Sequence, residues 1–401
     1  MKKIFITIML LNVAIAFKAS AQDEIKFNQT ATWSDTKAKA AGEGKLIFVD
    51  CYTSWCAPCK WMDKNVFTDT KVAGFFNKNF INAKIDMEKG EGVELRKKYS
   101  IQSFPTFLFI NDKGEVIHRT GSKMSVEEFL EEGKKAADPK KNLSFLSQKY
   151  SEGARDLPFL LDYYLVLNKS DRGNADKIAK GIVDGISAQQ LNTEFGWKTI
   201  KALAKSESDK LGAHFMANQT AFNNWSKQEE RDQLKDRLIT NTMYGLMRGN
   251  NEQSFMDKLA HFKKSDKIDR KKQGVMLEAE YYLSAGRNDD YIKLTSAALN
   301  NELKNDAEKL SFLSRKTSRG KGGNDVGAPA LLQQGYLMAK RAVELEPEDY
   351  SIQSTFAYAC LAMKNKPEAL AAAKKSRILA DAETSKIQKL AQELLDKVEA
   401  L

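Results

Sequence analysis

The chain is poor in the residues that most often carry chemistry or cross-links. Its 401 residues contain four cysteines, three histidines and seven prolines. Four cysteines are too few to staple a disulfide-dense scaffold. The three histidines (His118, His214 and His261) are scattered and there is no second CxxC, so four zinc ligands cannot be assembled by spacing. A Cys–His hydrolase fails for the same lack of fitting partners. Scarce proline and a modest 23 glycines argue against long disordered tracts. No run of basic residues is interleaved with aromatics, which excludes an obvious nucleic-acid surface. After the first twenty residues no stretch is long and apolar enough to span a bilayer.

What is present begins with a leader. Lys2 and Lys3 precede the apolar run Ile4–Phe17, and Ala19-Ser20-Ala21 supplies small residues at a cleavage site. The pattern predicts a signal peptide over 1–21 and an exported, soluble mature protein, periplasmic or secreted. The run is short for a membrane span and holds Asn12, which disfavours an uncleaved anchor. No cysteine at the site marks a lipid anchor. The formal charge of +10 includes Lys2, Lys3 and Lys18; sixty basic residues against 53 acidic ones then remain, or +7. In an oxidising compartment, sparse cysteines with two at CxxC spacing point to redox chemistry rather than stapling.

From Leu46 strands and helices alternate. LIFVDC is a continuous apolar run, as in a strand buried on both faces. Pro58 suits a first helical turn, where its missing N–H costs nothing. TDTKVAGFFNKNF reads as a helix, FINAKID as a strand, EGVELRKKY as a short helix, and TFLFI–NDKG–EVIHRT as a hairpin. Ser125 and Glu128 form a capping box that opens a closing helix. Upstream, EIKFNQ is expected as an edge strand and WSDTKAKAAGEGK as a helix ended by glycine.

LIFVDCYTSWCAPCK (46–60) resembles the active-site stretch of thioredoxins, and SFPTFLFI (103–110) is similar to their cis-proline segment. The longer pattern through AKAAGEGKLIFVD and WCAPCKWMD resembles an exported bacterial thioredoxin-like branch, related to the reducing domains of thiol:disulfide interchange proteins. The resemblance covers roughly residues 25–137. It implies an α/β thioredoxin fold, a mixed central sheet flanked by helices, over residues 22–138, and a thiol–disulfide oxidoreductase needing no cofactor and no metal. Cys56, at the helix start, is expected to attack, its thiolate favoured by free N–H groups and the macrodipole; Cys59, one turn in and less exposed, resolves. Trp55 offers a flat apolar cover and Pro58 stiffens the turn. By the resemblance, Asp50 is a buried proton shuttle, Lys84 its partner, and Pro105 a cis-proline facing the disulfide. Phe104, before it, exposes backbone groups for an extended substrate. It also replaces the small β-branched residue common in thioredoxins. Cys51 and Cys360 read as small buried hydrophobes, with a bridge between them the alternative.

Near Pro139 the alternation stops. Residues 139–401 are expected to be all-helical and, over about 274–381, similar to tetratricopeptide repeats. Ala339, Ala342, Pro347, Phe356, Ala357, Ala369 and Ser376 carry that spacing, with a weaker echo at Ala279, Tyr282, Tyr291 and Ala298. Residues 140–270 show no defensible period, and the glycine-rich 318–329 reads as a loop. Such helices either bind a partner protein or a second copy, or only enlarge the first domain. The expected partners are proteins with disulfides and a membrane electron relay as reductant, with no nucleic acid. The rival reading is a non-catalytic adaptor or chaperone-like binder with the thioredoxin fold as scaffold; a scaffold has no need for both cysteines.

Overall fold

The computed structural model describes residues 24–28, 32–54, 56–249, 251–318, 328–383 and 385–401. The expected signal peptide, Trp55 and most of the glycine-rich 318–329 segment lie outside them. The chain forms two compact units, the first holding the residues up to Thr53 and Pro58–Phe145, the second Ser54–Ala57 and Leu146–Leu401.

The first unit runs α1 (Trp33–Glu43), β1 (Leu46–Tyr52), α2 (Ala57–Asn65), α3 (Thr70–Asn79), β2 (Phe80–Asp86), α4 (Gly92–Lys98), β3 (Thr106–Ile110), β4 (Val116–Gly121) and α5 (Val126–Ala137), followed by the start of α6 (Leu143–Ser151). The helix ends follow local chemistry. Thr32 and Asp35 box the start of α1, and Gly44 closes it at φ 60. Asp69 caps α3, and the Ser125–Glu128 box opens α5 as its spacing indicates.

The sheet order is β2-β1-β3-β4, with β1 parallel to β2 and antiparallel to β3. The expected edge strand at EIKFNQ is a correction. Its described residues 24–28 form no ladder: Asn28 N–H donates to Asn82 O of β2, but Ile25 N–H turns away to Phe67 O.

Both faces of β1 are buried. Ile47, Val49 and Cys51 enter one cluster with Leu95, Leu108 and Ile110. Phe48 enters the other, among Met62, Val66, Phe67, Phe76, Phe107, Phe109 and Phe129. Alternation along the strand therefore puts Asp50 on the side covered by α2.

Among its described residues the second unit consists of helices joined by turns and loops, with no strand. Of the residues that suggested repeats, Ala279, Tyr291, Ala298, Ala339, Ala342, Phe356, Ala357, Ala369 and Ser376 are buried, whereas Tyr282 is half-buried and Pro347 exposed. A regular spacing also reaches further back. Arg237 bonds Lys201 O and Asn241 bonds Lys205 O, each 36 residues away. Arg270 reaches Asp236 and Lys272 reaches Asp306 across 34 residues, Tyr244 reaches Glu280 across 36, and Arg341 reaches Lys304 O across 37. Among the described residues no helix is long and apolar enough to cross a membrane.

Candidate active site

Cys56 immediately precedes α2 and Cys59 lies in its first turn, and the two are joined as a disulfide. The difference in exposure expected between them is absent: each is 2% exposed. Pro58 is the second residue of α2 and is exposed, where a missing N–H is tolerated.

Cys59, Met62, Asp63 and Val66 recur at helical spacing. Met62 and Val66 are fully buried in the cluster that holds Phe48. Cys59 thus belongs to the helix face turned toward the Asp50 side of the sheet. Asp50 itself is 1% exposed. It stands directly opposite Lys84 in the parallel register of β1 and β2, and Lys84 Nζ lies 3.2 Å from Asp50 Oδ2. The contact is an ion pair; neither Asp50 oxygen has a hydrogen-bond partner among the described residues. Lys84 also bonds Asp63 Oδ1, and its ammonium lies 4.8 Å from the centre of the Tyr52 ring.

Two opposing effects set the acidity of Asp50. Burial penalises the carboxylate, while the charge of Lys84 favours it; Asp63 adds a repulsion. Burial wins, and the pKa rises from the ordinary 3.8 to about 6. Lys84 shows the converse balance. Burial alone would lower its pKa, but Asp50 and Asp63 together hold it above the usual lysine value.

The Phe104–Pro105 peptide bond is cis. Pro105 is buried and Phe104 half-buried, with the Arg96 guanidinium 5.2 Å from the centre of its ring. Thr106 Oγ1 donates to Ser103 O, and Ser122 N–H donates to Pro105 O. Gly121 of β4 pairs with Thr106, and a Cβ on it would sit 2.9 Å from Pro105 O. Only glycine lets the two backbones approach this closely.

Cys51 and Cys360 are free and buried, so no bridge joins them. Burial, with the charge of Asp50 adding to it, pushes the Cys51 thiol well above the ordinary thiol range. Burial likewise pushes Cys360 up to about 12. Two thiols held neutral are poor nucleophiles. Among the described residues no group of three His, Cys, Asp or Glu could hold a metal ion.

The sequence reading brought together Cys56, Cys59, Asp50, Lys84 and Pro105, and missed Asp63 and Gly121. Asp63 was findable: it stands one helical turn beyond Cys59, at i+4 on the same face. Gly121 depends on strand register and left no local trace.

A family model described as thioredoxin-like matches residues 28–112. Thioredoxin-1 of Drosophila melanogaster is 34% identical over 82 residues, 20% of this chain and 72% of the insect protein. Thiol:disulfide interchange protein DsbD of Yersinia pestis is 30% identical over 116 residues, 28% of this chain but only 20% of that longer protein. The solution structure of a candidate disulphide-isomerase from Bacteroides thetaiotaomicron is 47% identical, covering 29% of this chain and 95% of that one, with a TM-score of 0.27. Similar over most of a thioredoxin's own length, and carrying the cysteine pair at the head of α2, the chain belongs to the thioredoxin family.

Proposed function

We propose that the protein is an exported thiol–disulfide oxidoreductase that reduces or isomerises disulfides of extracytoplasmic proteins. The observation that carries this reading is the disulfide between Cys56 and Cys59 at the start of α2, on the helix face turned toward buried Asp50.

The cycle starts from the dithiol. The Cys56 thiolate attacks one sulfur of a substrate disulfide; that S–S bond breaks, a mixed disulfide forms, and the first substrate thiolate leaves and takes a proton from water. The Asp50 carboxylate then accepts the Cys59 proton, and Cys59 Sγ attacks Cys56 Sγ. The mixed disulfide breaks and the second substrate thiolate leaves. The substrate gains two electrons and the cysteine pair becomes the disulfide. An acid with a pKa near 6 suits a proton acceptor at neutral pH. An external dithiol must return the pair to its reduced form, and outside the cytoplasm a membrane electron relay would supply it. Phe104 and Pro105 offer the backbone edge against which an extended substrate pairs, with Trp55 as the expected apolar cover. The helical unit, read as tetratricopeptide-like, would bind a partner protein or a second copy.

Reduction of insulin with dithiothreitol as electron source tests this reading. Wild-type protein should accelerate it, and Cys56→Ser should abolish the acceleration. An unaccelerated wild-type reaction would favour the adaptor role.

A further inference from the structure

Three charged groups step outward from the core of the first unit. The Asp50 side chain is 1% exposed, that of Lys84 16%, and that of Asp63 40%. Lys84 touches both carboxylates, one on β1 beneath it and one on α2. On its outer side lies a cavity of about 530 Å³ lined by Glu24, Lys26, Phe27, Asp63, Phe67 and Lys84. One ammonium is thus shared between a buried acid and an acid at the mouth of a water-accessible cavity.

A shared cation cannot neutralise both partners fully. An ammonium committed to Asp50 alone would lower the proton affinity of that carboxylate and make it a weaker acceptor for the Cys59 proton. An ammonium drawn toward the surface leaves Asp50 close to balance between its two forms.

We propose that Asp63 is a positioning residue for disulfide exchange, which holds the Lys84 ammonium on the cavity side and so keeps Asp50 able to take up and release a proton. This rests on the reading of Asp50 as the base for Cys59. Among the described residues, the other polar groups around the trio include the Tyr52 ring, 4.8 Å from Lys84 Nζ, and Glu24 and Lys26 in the cavity wall. Both aromatic edges of the cavity, Phe27 and Phe67, also lie within 6 Å of the ammonium, at 5.5 and 5.7 Å. None of these supplies a second carboxylate in contact with Lys84, so the sharing depends on Asp63.

The test reads Asp50 directly. In the oxidised full-length protein, the carboxyl carbon of Asp50 is followed by carbon-13 NMR as pH is varied. Asp63→Asn should move the Asp50 midpoint down by about one pH unit. Asp63→Glu should leave it near the wild-type value. In a Lys84→Met background, Asp63→Asn should move it less, because only the direct repulsion between the two carboxylates remains. An unmoved midpoint in Asp63→Asn, or a displacement of equal size with and without Lys84, overturns the proposal. The pH dependence of insulin reduction is measured on the same variants. Its acid limb should follow the NMR midpoint downward in Asp63→Asn. If the carboxyl moves and the rate profile does not, Asp50 is not the base, and the parent reading falls together with the role given to Asp63. A uniform loss of rate at every pH would mark Asp63 as merely structural and also overturn it.

Discussion

Asp50 and Lys84 face each other across two parallel strands, 3.2 Å apart, in the interior of the thioredoxin-like unit. A buried ion pair is weak evidence for stability, because desolvation competes with attraction. Here the competition has a sign: the raised Asp50 pKa means that burial outweighs Lys84.

That sign has a consequence for stability. Between the ordinary value of 3.8 and about 6 the folded protein holds a proton on Asp50 that the unfolded chain has released. Stability contributed by this group is present below the lower value and lost as pH rises through the upper one. The two values differ by roughly two pH units, or about 3 kcal/mol. Asp50→Asn should therefore be more stable than wild type at pH 8, by up to about 3 kcal/mol, and the difference should shrink toward pH 4. Urea unfolding at the two pH values measures it. A variant less stable than wild type at pH 8 would show that Asp50 stabilises the fold as an ionised partner of Lys84.

Gly121 marks a second tight spot. Its missing Cβ keeps β4 against the Pro105 carbonyl. Gly121→Val should push the Phe104–Pro105 segment out of place while the aromatic core on the other elements persists. The kcat/KM for insulin should fall by about tenfold to a hundredfold, with cooperative unfolding retained. Unchanged kcat/KM would separate the Pro105 segment from substrate binding.

The end of the first unit is held by a buried histidine. His118 Nδ1 accepts from Leu143 N–H, at 3.3 Å, so its Nε2–H donates to Glu132, whose other oxygen meets Lys135. A fragment of residues 22–145 keeps these bonds; one of 22–138 ends before Leu143. The longer fragment should be the more stable by about 1 kcal/mol or more, as expected when a buried acceptor loses its donor. Equal stability of the two in urea would show that the Leu143 bond contributes nothing.

Much of this was legible in the sequence because local chemistry and tertiary demand coincide. The apolar LIFVDC run is buried on both faces, the Ser125–Glu128 box caps α5, and the CxxC sits where a helix begins. The misses have a common cause. EIKFNQ has strand-like composition, yet Ile25 is drawn to Phe67 O and its described residues 24–28 form no ladder. The sharing of Lys84 depends on a helix and a strand meeting in space, which no single segment announces. The spacing of 34–36 residues before 274 is carried by polar side chains reaching backbone carbonyls and a carboxylate. Trp55 falls outside the described residues, so its place as a cover stays an expectation.

The assignment of Cys56 as nucleophile is the centre of the account. Cys59→Ser protein, fully reduced and folded, would be mixed with a disulfide substrate such as insulin and the adduct mapped by peptide mass spectrometry. The resolving thiol is gone, so a mixed disulfide should accumulate through Cys56, with none at buried Cys51 or Cys360. No adduct at Cys56, or an adduct only at Cys51 or Cys360, would contradict it.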